Sequence, residues 1–90
     1  MTKSFRTNLS DWSLAVPVLP QAGPRRVALY REIRRLIETA ALPTGAKLPT
    51  TRDLAKRFGL SRGAAVAAYE MLIADGFAEA RTGAGTYVAR

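Results

Sequence analysis

The sequence predicts a mainly α-helical domain with a small β-hairpin (α+β), built from three short helices and two strands. Apolar residues recur at helical spacing in three stretches of the chain. The second and third stretches each follow a residue that caps helices and precede a glycine. A glycine-rich loop then separates two short strand-like runs near the C-terminus. Ninety residues are enough for one small domain and too few for two.

The first helix is predicted to begin at Pro24 or Arg25, because proline is favoured at the first helical position. Pro43 and Gly45 are expected to end it and to form a turn. Its inward face is a set of apolar residues at helical spacing, with Leu29 and Leu36 beside it: Tyr30, Ile33, Ile37 and Ala40 or Ala41.

Residues 1–23 lack a sustained period and are predicted to form an N-terminal arm, partly disordered and partly packed through Trp12. The folded domain is then expected to span residues 24–90.

The second helix is predicted over residues 51–58, with Thr50 as its N-cap and Asp53 at the capping-box position. Gly59 is placed to adopt the left-handed conformation that ends a helix. The inner face consists of Leu54, Ala55 and Phe58.

The third helix is predicted to begin after Ser61 as its N-cap and to end at Asp75, with Gly76 as the stop signal. Its core stripe is Ala65, Ala68, Tyr69 and Leu72, with Met71 and Ile73 at its borders. A helix of this length spans about 21 Å, enough to cross a major groove. Only Leu60 separates Gly59 from the cap, so the connection between the two helices is a tight turn.

Two short strands are predicted over residues 77–81 and 86–88, around a tip of sequence Thr-Gly-Ala-Gly. Two helices joined by a tight turn and followed by a hairpin form a winged helix-turn-helix, an arrangement that grips duplex DNA.

The charge of the chain agrees with a polyanionic partner. The formal net charge is +7 and the pI about 10.9, although a basic surface can also serve solubility alone. There is no histidine and no cysteine, which removes the usual general base, metal ligands and disulfides and fits a reducing, cytoplasmic setting. We find no active-site candidate and no run of membrane-spanning length, so neither an enzyme nor a membrane partner is expected.

Several spaced motifs run along residues 25–90. They are Gly45-Ala46-Lys47-Leu48-Pro49, Arg52-Asp53-Leu54-Ala55, Ser61-Arg62, Ala68-Tyr69, Leu72, Gly76-Phe77 and Gly83-Ala84-Gly85-Thr86-Tyr87-Val88. Together they resemble the winged DNA-binding domain of GntR-type transcriptional regulators. Leu29-Tyr30-Arg31, the Ala-Tyr-Glu of the third helix and the Gly-Thr-Tyr-Val exit most resemble its MocR branch.

The resemblance implies particular contacts with DNA. The family's contact arginine after the leucine-proline turn is Arg52 here, the start of the recognition helix maps to residues 61–64, and the wing tip maps to residues 82–84. The chain departs from the family at Gly63 and Ala64, where a side chain that hydrogen-bonds bases is usual. The MocR likeness also implies a fused pyridoxal-phosphate-binding, aminotransferase-like domain that senses the effector and pairs the protomers. No cofactor is expected in these ninety residues themselves.

Helical geometry turns Gly63, Val66, Ala67 and Glu70 away from the core stripe, toward the presumed groove. This face has few donors and can contact thymine methyl groups or let the helix sit deep. The predicted DNA-binding residues are Thr50, Arg52, Lys56, Ser61, Arg62, Gly63, Ala64, Val66, Arg81, Thr82, Gly83 and Ala84. The alternatives are a solvated Arg52 paired with an acid, and an ordinary hairpin turn at the tip.

The function predicted from these observations is sequence-specific binding of double-stranded DNA, as the DNA-reading head of a GntR/MocR-type regulator. A homodimer is expected, either on two half-sites about one helical turn apart or through a C-terminal domain outside this chain. The rival interpretations are a winged-helix module for protein interaction and an RNA-binding basic domain. The second lacks an aromatic pair placed for base stacking.

Overall fold

The computed structural model describes residues 19 and 23–89, and that part of the chain contains three helices and one two-stranded antiparallel sheet. The helices are α1 (Arg25–Glu38), α2 (Thr51–Phe58) and α3 (Arg62–Ala74). The strands are β1 (Ala78–Arg81) and β2 (Gly85–Val88). The predicted fold class is confirmed, with every predicted element present in the predicted order.

The first helix ends earlier than its periodicity predicted. The cap is Thr39, and Ala40 adopts a left-handed conformation with φ of 64°, which costs a non-glycine residue about 1–2 kcal/mol. Ala40 and Ala41 are therefore exposed. The prediction that one of them extends the inward face of the helix was wrong. The turn instead directs Leu42 into the core, where it is buried and its amide donates to the Leu36 carbonyl.

Helix α3 is the centre of the domain, since it packs against α1, α2 and β1. Its predicted stripe is confirmed, because Ala65, Ala68, Tyr69 and Leu72 are all buried. The largest fully buried side chains of the described residues are Leu29, Ile33, Leu54, Leu72 and Val88, two from α1 and one each from α2, α3 and β2. Burying a side chain of this size stabilises the fold by about 1.5–3 kcal/mol.

A polar cluster holds α1 to the far end of α3. The Tyr30 hydroxyl donates to the carboxylate of Asp75, and the Arg34 guanidinium donates to the Tyr30 hydroxyl at 3.2 Å. The same guanidinium lies 4.9 Å from the ring centroid of Phe77. These contacts lie at the C-terminal end of α3, away from the helix-turn-helix connection.

The hairpin pairs Ala78 with Val88 and Arg81 with Gly85. Strand β1 begins at Ala78 rather than at Phe77, which lies in the bend after α3, and β2 begins one residue earlier than predicted, at Gly85.

Residues 45–48, for which the sequence predicted no strand pairing, pair with the hairpin. Lys47 forms an antiparallel bridge with Tyr87. The Leu48 amide donates to the Thr86 carbonyl at 2.8 Å, and the Val88 amide donates to Ala46 at the same distance. The segment thus fastens the beginning of α2 to the wing.

Of the predicted N-terminal arm, Leu19 and Gly23 are described, and Leu19 is buried in the core cluster. The predicted packing of Trp12 lies outside the described residues.

Candidate nucleic-acid interface

The start of α2 presents Arg52 to solvent. Thr50 has extended backbone angles, and its hydroxyl oxygen accepts a hydrogen bond from the Asp53 amide at 3.1 Å, so the predicted N-cap is confirmed. Arg52 lies in the first turn and is exposed, whereas Leu54 and Ala55 turn into the core. Lys56 follows one turn later on the same exposed face.

The arginine ion pairs lie elsewhere in the fold. Among residues 19 and 23–89 they are Arg34–Glu38, Arg35–Glu32 and Arg81–Glu79, two on α1 and one on the hairpin. No ion pair in that part of the chain involves α2 or the first turn of α3. Arg52 is therefore not neutralised by an acid of the described residues. The charges of Arg52, Lys56 and Arg62 remain available for a phosphate or a base.

The start of α3 is a second polar site. The oxygen of the Ser61 hydroxyl accepts from the Ala64 amide at 3.1 Å, which confirms its role as N-cap. A hydroxyl that accepts in this way still has its own hydrogen to donate, so capping and a phosphate contact are compatible. The first intrahelical backbone bond is donated by Ala65, which leaves the amides of Arg62 and Gly63 before it, at the positive end of the helix dipole.

The face of α3 opposite the core is donor-poor, as predicted. Gly63 and Glu70 are exposed, and Val66 keeps 37% of its surface accessible. Gly63 has no left-handed backbone angle, and a Cβ there would meet only the Ser61 hydroxyl, at 3.9 Å. The fold itself therefore does not require this glycine, although it lowers helix stability by up to about 1 kcal/mol relative to alanine.

The wing tip is the loop that connects β1 to β2. Thr82, Gly83 and Ala84 are exposed; Gly83 has a φ of 75°, and the Ala84 amide donates to the Arg81 carbonyl. Arg81 pairs with Glu79 at 3.1 Å and stacks 4.1 Å from the ring centroid of Tyr87. Because this pair is exposed, a phosphate can replace the carboxylate at little cost.

Sequence reasoning missed a cation close to the tip of the wing. A Cβ built on Gly85 would lie 3.0 Å from Cε and 3.8 Å from Nζ of Lys47, so the lysine side chain crosses that glycine. Gly85 also has a φ of 125°, which side chains rarely adopt. The spacing of Lys47 carries no signal of this contact, because it depends on pairing with residues 40 positions away.

The structure thus links the predicted residues in two ways. Gly59 and Leu60 form the tight turn that joins the predicted DNA-binding residues of α2 to those at the start of α3, and Gly59 adopts a left-handed conformation with φ of 67°. Residues 45–48 join the beginning of α2 to β2 and hence to the wing. The hydrogen bonds of the tip residues remain within the hairpin, so the strands determine the position of the tip relative to DNA.

A metal-binding cluster and a membrane-spanning helix are both absent from residues 19 and 23–89. No group of three or more histidine, cysteine or acidic side chains there is placed to hold a metal ion. None of the helices in that part of the chain has the length and apolar character needed to cross a membrane.

Comparison with known proteins agrees with the fold described above. The family model for bacterial regulatory proteins of the gntR family matches residues 25–88. The chain is 38% identical over 66 residues to the "Probable rhizopine catabolism regulatory protein MocR" of Rhizobium meliloti, which covers 73% of this chain and 13% of that protein. It is 36% identical over 81 residues to the "HTH-type pyridoxine biosynthesis transcriptional regulator PdxR" of Corynebacterium glutamicum, covering 89% of this chain and 17% of that protein. The chain therefore spans less than a fifth of either relative.

One solved structure of similar fold contains operator DNA. The DNA-binding domain of AraR, crystallised with operator ORX1, superposes with a TM-score of 0.71 at 29% identity. The match covers 76% of this chain and 82% of that one.

Proposed function

The chain belongs to the GntR family of bacterial regulatory proteins as its winged helix-turn-helix DNA-binding domain, and we propose that the residues described above read an operator. Helix α3 enters the major groove by its first two turns, the start of α2 holds the flanking strand, and the wing contacts the backbone beside them. In this proposal the chain performs no chemistry and acts in the cytoplasm.

The observation that carries the proposal is the distribution of free positive charge. Arg52, Lys56 and Arg62 are exposed and take part in none of the ion pairs of residues 19 and 23–89. Beside them, the first amides of α3 lie at the positive end of the helix dipole. A guanidinium in this setting can clamp a phosphate or bond the O6 and N7 edge of guanine with both arms.

Sequence selection in this proposal combines two kinds of contact. Arg52 and Arg62 supply hydrogen bonds to bases, while Gly63 and Val66 supply a donor-free surface that fits the methyl group of thymine. Ser61 and the tip residues 82–84 hold phosphates and set the register. DNA shape contributes the remainder, because few donors face the groove.

We also propose that the head works as one of a pair. A homodimer would place two α3 helices in successive major grooves, about 34 Å apart. In a longer MocR-type protein, a pyridoxal-phosphate-binding domain outside these ninety residues would hold the two heads together and sense the effector. The small share of MocR and PdxR that this chain covers supports such an arrangement.

The test is binding to duplex DNA as a function of salt. If two heads neutralise on the order of six phosphates, the logarithm of the affinity falls with the logarithm of salt at a slope of about −5. Arg52→Glu should weaken binding by more than about tenfold, because a carboxylate replaces a groove-facing guanidinium. Arg31→Glu, an equal charge change on the exposed face of α1, is the matched control and should have a much smaller effect.

The rival functions give different results. Equal effects of the two reversals would leave only nonspecific attraction, and an affinity that does not change with salt would contradict the phosphate contacts. Preference for single-stranded RNA over duplex DNA would favour the RNA-binding alternative. Unchanged DNA binding by Arg52→Glu would favour a protein-interaction module.

A further inference from the structure

We propose that Tyr69 is a positioning residue for DNA recognition, which holds the junction between the wing and α2 so that Arg52 is presented at a fixed angle to α3. The inference rests on the proposed function, because it requires that Arg52 contact DNA. It is carried by one buried hydrogen bond and by the place of its acceptor in the chain.

The bond joins α3 to the residue just before the α2 cap. The Tyr69 hydroxyl donates to the Pro49 carbonyl at 2.6 Å, across 20 residues of sequence. Tyr69 keeps 4% of its surface exposed, and Pro49 is buried as well. A buried carbonyl without a donor is unfavourable. The backbone of α2 does not supply a donor for Pro49, because the first amide of the helix that bonds backward to a carbonyl is that of Leu54, and it donates to Thr50.

Pro49 is the joint between two DNA-facing elements. On its N-terminal side, Leu48 is hydrogen-bonded to Thr86 of β2. On its C-terminal side, Thr50 caps α2, and Arg52 follows two residues later. The phenol comes from α3, so a single hydroxyl links the recognition helix, the start of α2 and, through Leu48, strand β2 of the wing.

The chemistry of the bond favours a permanent support over a switch. Burial raises the pKa of the Tyr69 phenol above its usual range, so the hydroxyl keeps its proton and remains a donor at neutral pH. Functional contacts tolerate errors of only about 0.5 Å, and such precision needs a supporting group that is itself locked by packing. Tyr69 meets that requirement, because its ring lies in the core stripe of α3.

The test is a double-mutant cycle on DNA affinity. The full ninety-residue chain is used to select a duplex from a random-sequence library, and Kd on that duplex is measured by fluorescence anisotropy. Tyr69→Phe should weaken binding about tenfold in the wild-type background and less than about twofold in the Arg52→Ala background, because coupled residues are not additive. Amide exchange at Asp53 and Leu54 should be faster in Tyr69→Phe, since both amides bond to Thr50.

Tyr30→Phe is the matched control. It removes a hydroxyl that also ties α3 to another segment, but at the C-terminal end of α3 and away from Pro49. Its effect on Kd should be small and equal in both Arg52 backgrounds, and the exchange at Asp53 and Leu54 should be unchanged.

Each remaining outcome overturns the inference. An equal loss from Tyr69→Phe in both backgrounds, or wild-type exchange at Asp53 and Leu54, would show that Arg52 does not depend on this hydroxyl. A Tyr69→Phe chain that fails to fold would make the hydroxyl a requirement of the fold instead. If Arg52→Ala itself leaves Kd unchanged, the proposed function fails and this inference falls with it.

Discussion

Replacing one thymine of a bound half-site by deoxyuridine removes a single 5-methyl group and leaves the hydrogen-bonding edges of the base pair unchanged. We expect this replacement to weaken binding at one position of the half-site, the one that faces Val66. The reason is that the outer face of α3 offers an accessible valine and an adjacent glycine where base-bonding side chains would otherwise stand.

The magnitude follows from the exposure of the valine. Fully burying such a side chain is worth about 1.5–3 kcal/mol, so a residue that is 37% exposed has about 0.5–1 kcal/mol left to gain in the groove. The thymine methyl group contributes about 0.8 kcal/mol when buried. Its loss should therefore raise Kd about fourfold, at 1.4 kcal/mol per factor of ten.

The assay is fluorescence anisotropy on a selected duplex in which each thymine is replaced in turn. Val66→Ala is the matched variant: it should bind less tightly and should no longer distinguish thymine from uracil at the sensitive position. Gly63→Ala should raise the free energy of unfolding by up to about 1 kcal/mol through helix propensity while weakening DNA binding, because the added methyl group faces the groove.

Two results would refute this reasoning. Uracil could be tolerated at every position, or the sensitive position could keep its preference in Val66→Ala. Either result would mean that Val66 does not face a thymine and that the donor-poor face lies away from base edges.

Two further predictions concern Ser61 and pH. Ser61→Ala should lower the free energy of unfolding by about 1 kcal/mol, because the cap to the Ala64 amide is lost. Ser61→Asp should restore the stability but bind DNA less well than Ser61→Ala, because its carboxylate repels phosphates. Urea melts measure the stability and anisotropy the DNA affinity, and equal DNA binding by both variants would argue against a phosphate at Ser61. DNA affinity should change little between about pH 6 and 8, since the chain has no histidine or cysteine and the α-amino group is the one remaining group that ordinarily titrates in this range. The raised pKa of Tyr69 means that the folded state binds its proton more tightly, so that contribution to stability is complete below the unfolded pKa of about 10 and is lost above it. Urea melts below and above about pH 10 measure this loss of stability. A loss that is just as steep in Tyr69→Phe would show that the Tyr69 hydroxyl does not cause it.

Much of the site could be predicted because its signals are local. The caps at Thr50 and Ser61 and the left-handed Gly59 act within a few residues of the chain, so residue type and spacing were enough to place them. The same spacing distinguished the buried stripe of α3 from the face that carries Val66.

The errors arose where distant residues compete for the core. Periodicity extended α1 through Ala40, but burial of Leu42 made a left-handed turn at that alanine worth its cost. The pairing of residues 45–48 with the hairpin was not predicted, because a strand pairing over 40 residues has no signature in so short a segment.

The sequence by itself determined the order of elements, the helix ends of the DNA-reading unit and the excess of positive charge, since each depends on residue type or on neighbours within one or two turns. Only the tertiary structure decided that the Lys47 side chain crosses Gly85 and that the Tyr69 hydroxyl donates to the Pro49 carbonyl. Both contacts join residues at least 20 positions apart along the chain, and the Tyr69 bond exists because a buried carbonyl must find a donor wherever folding brings one near.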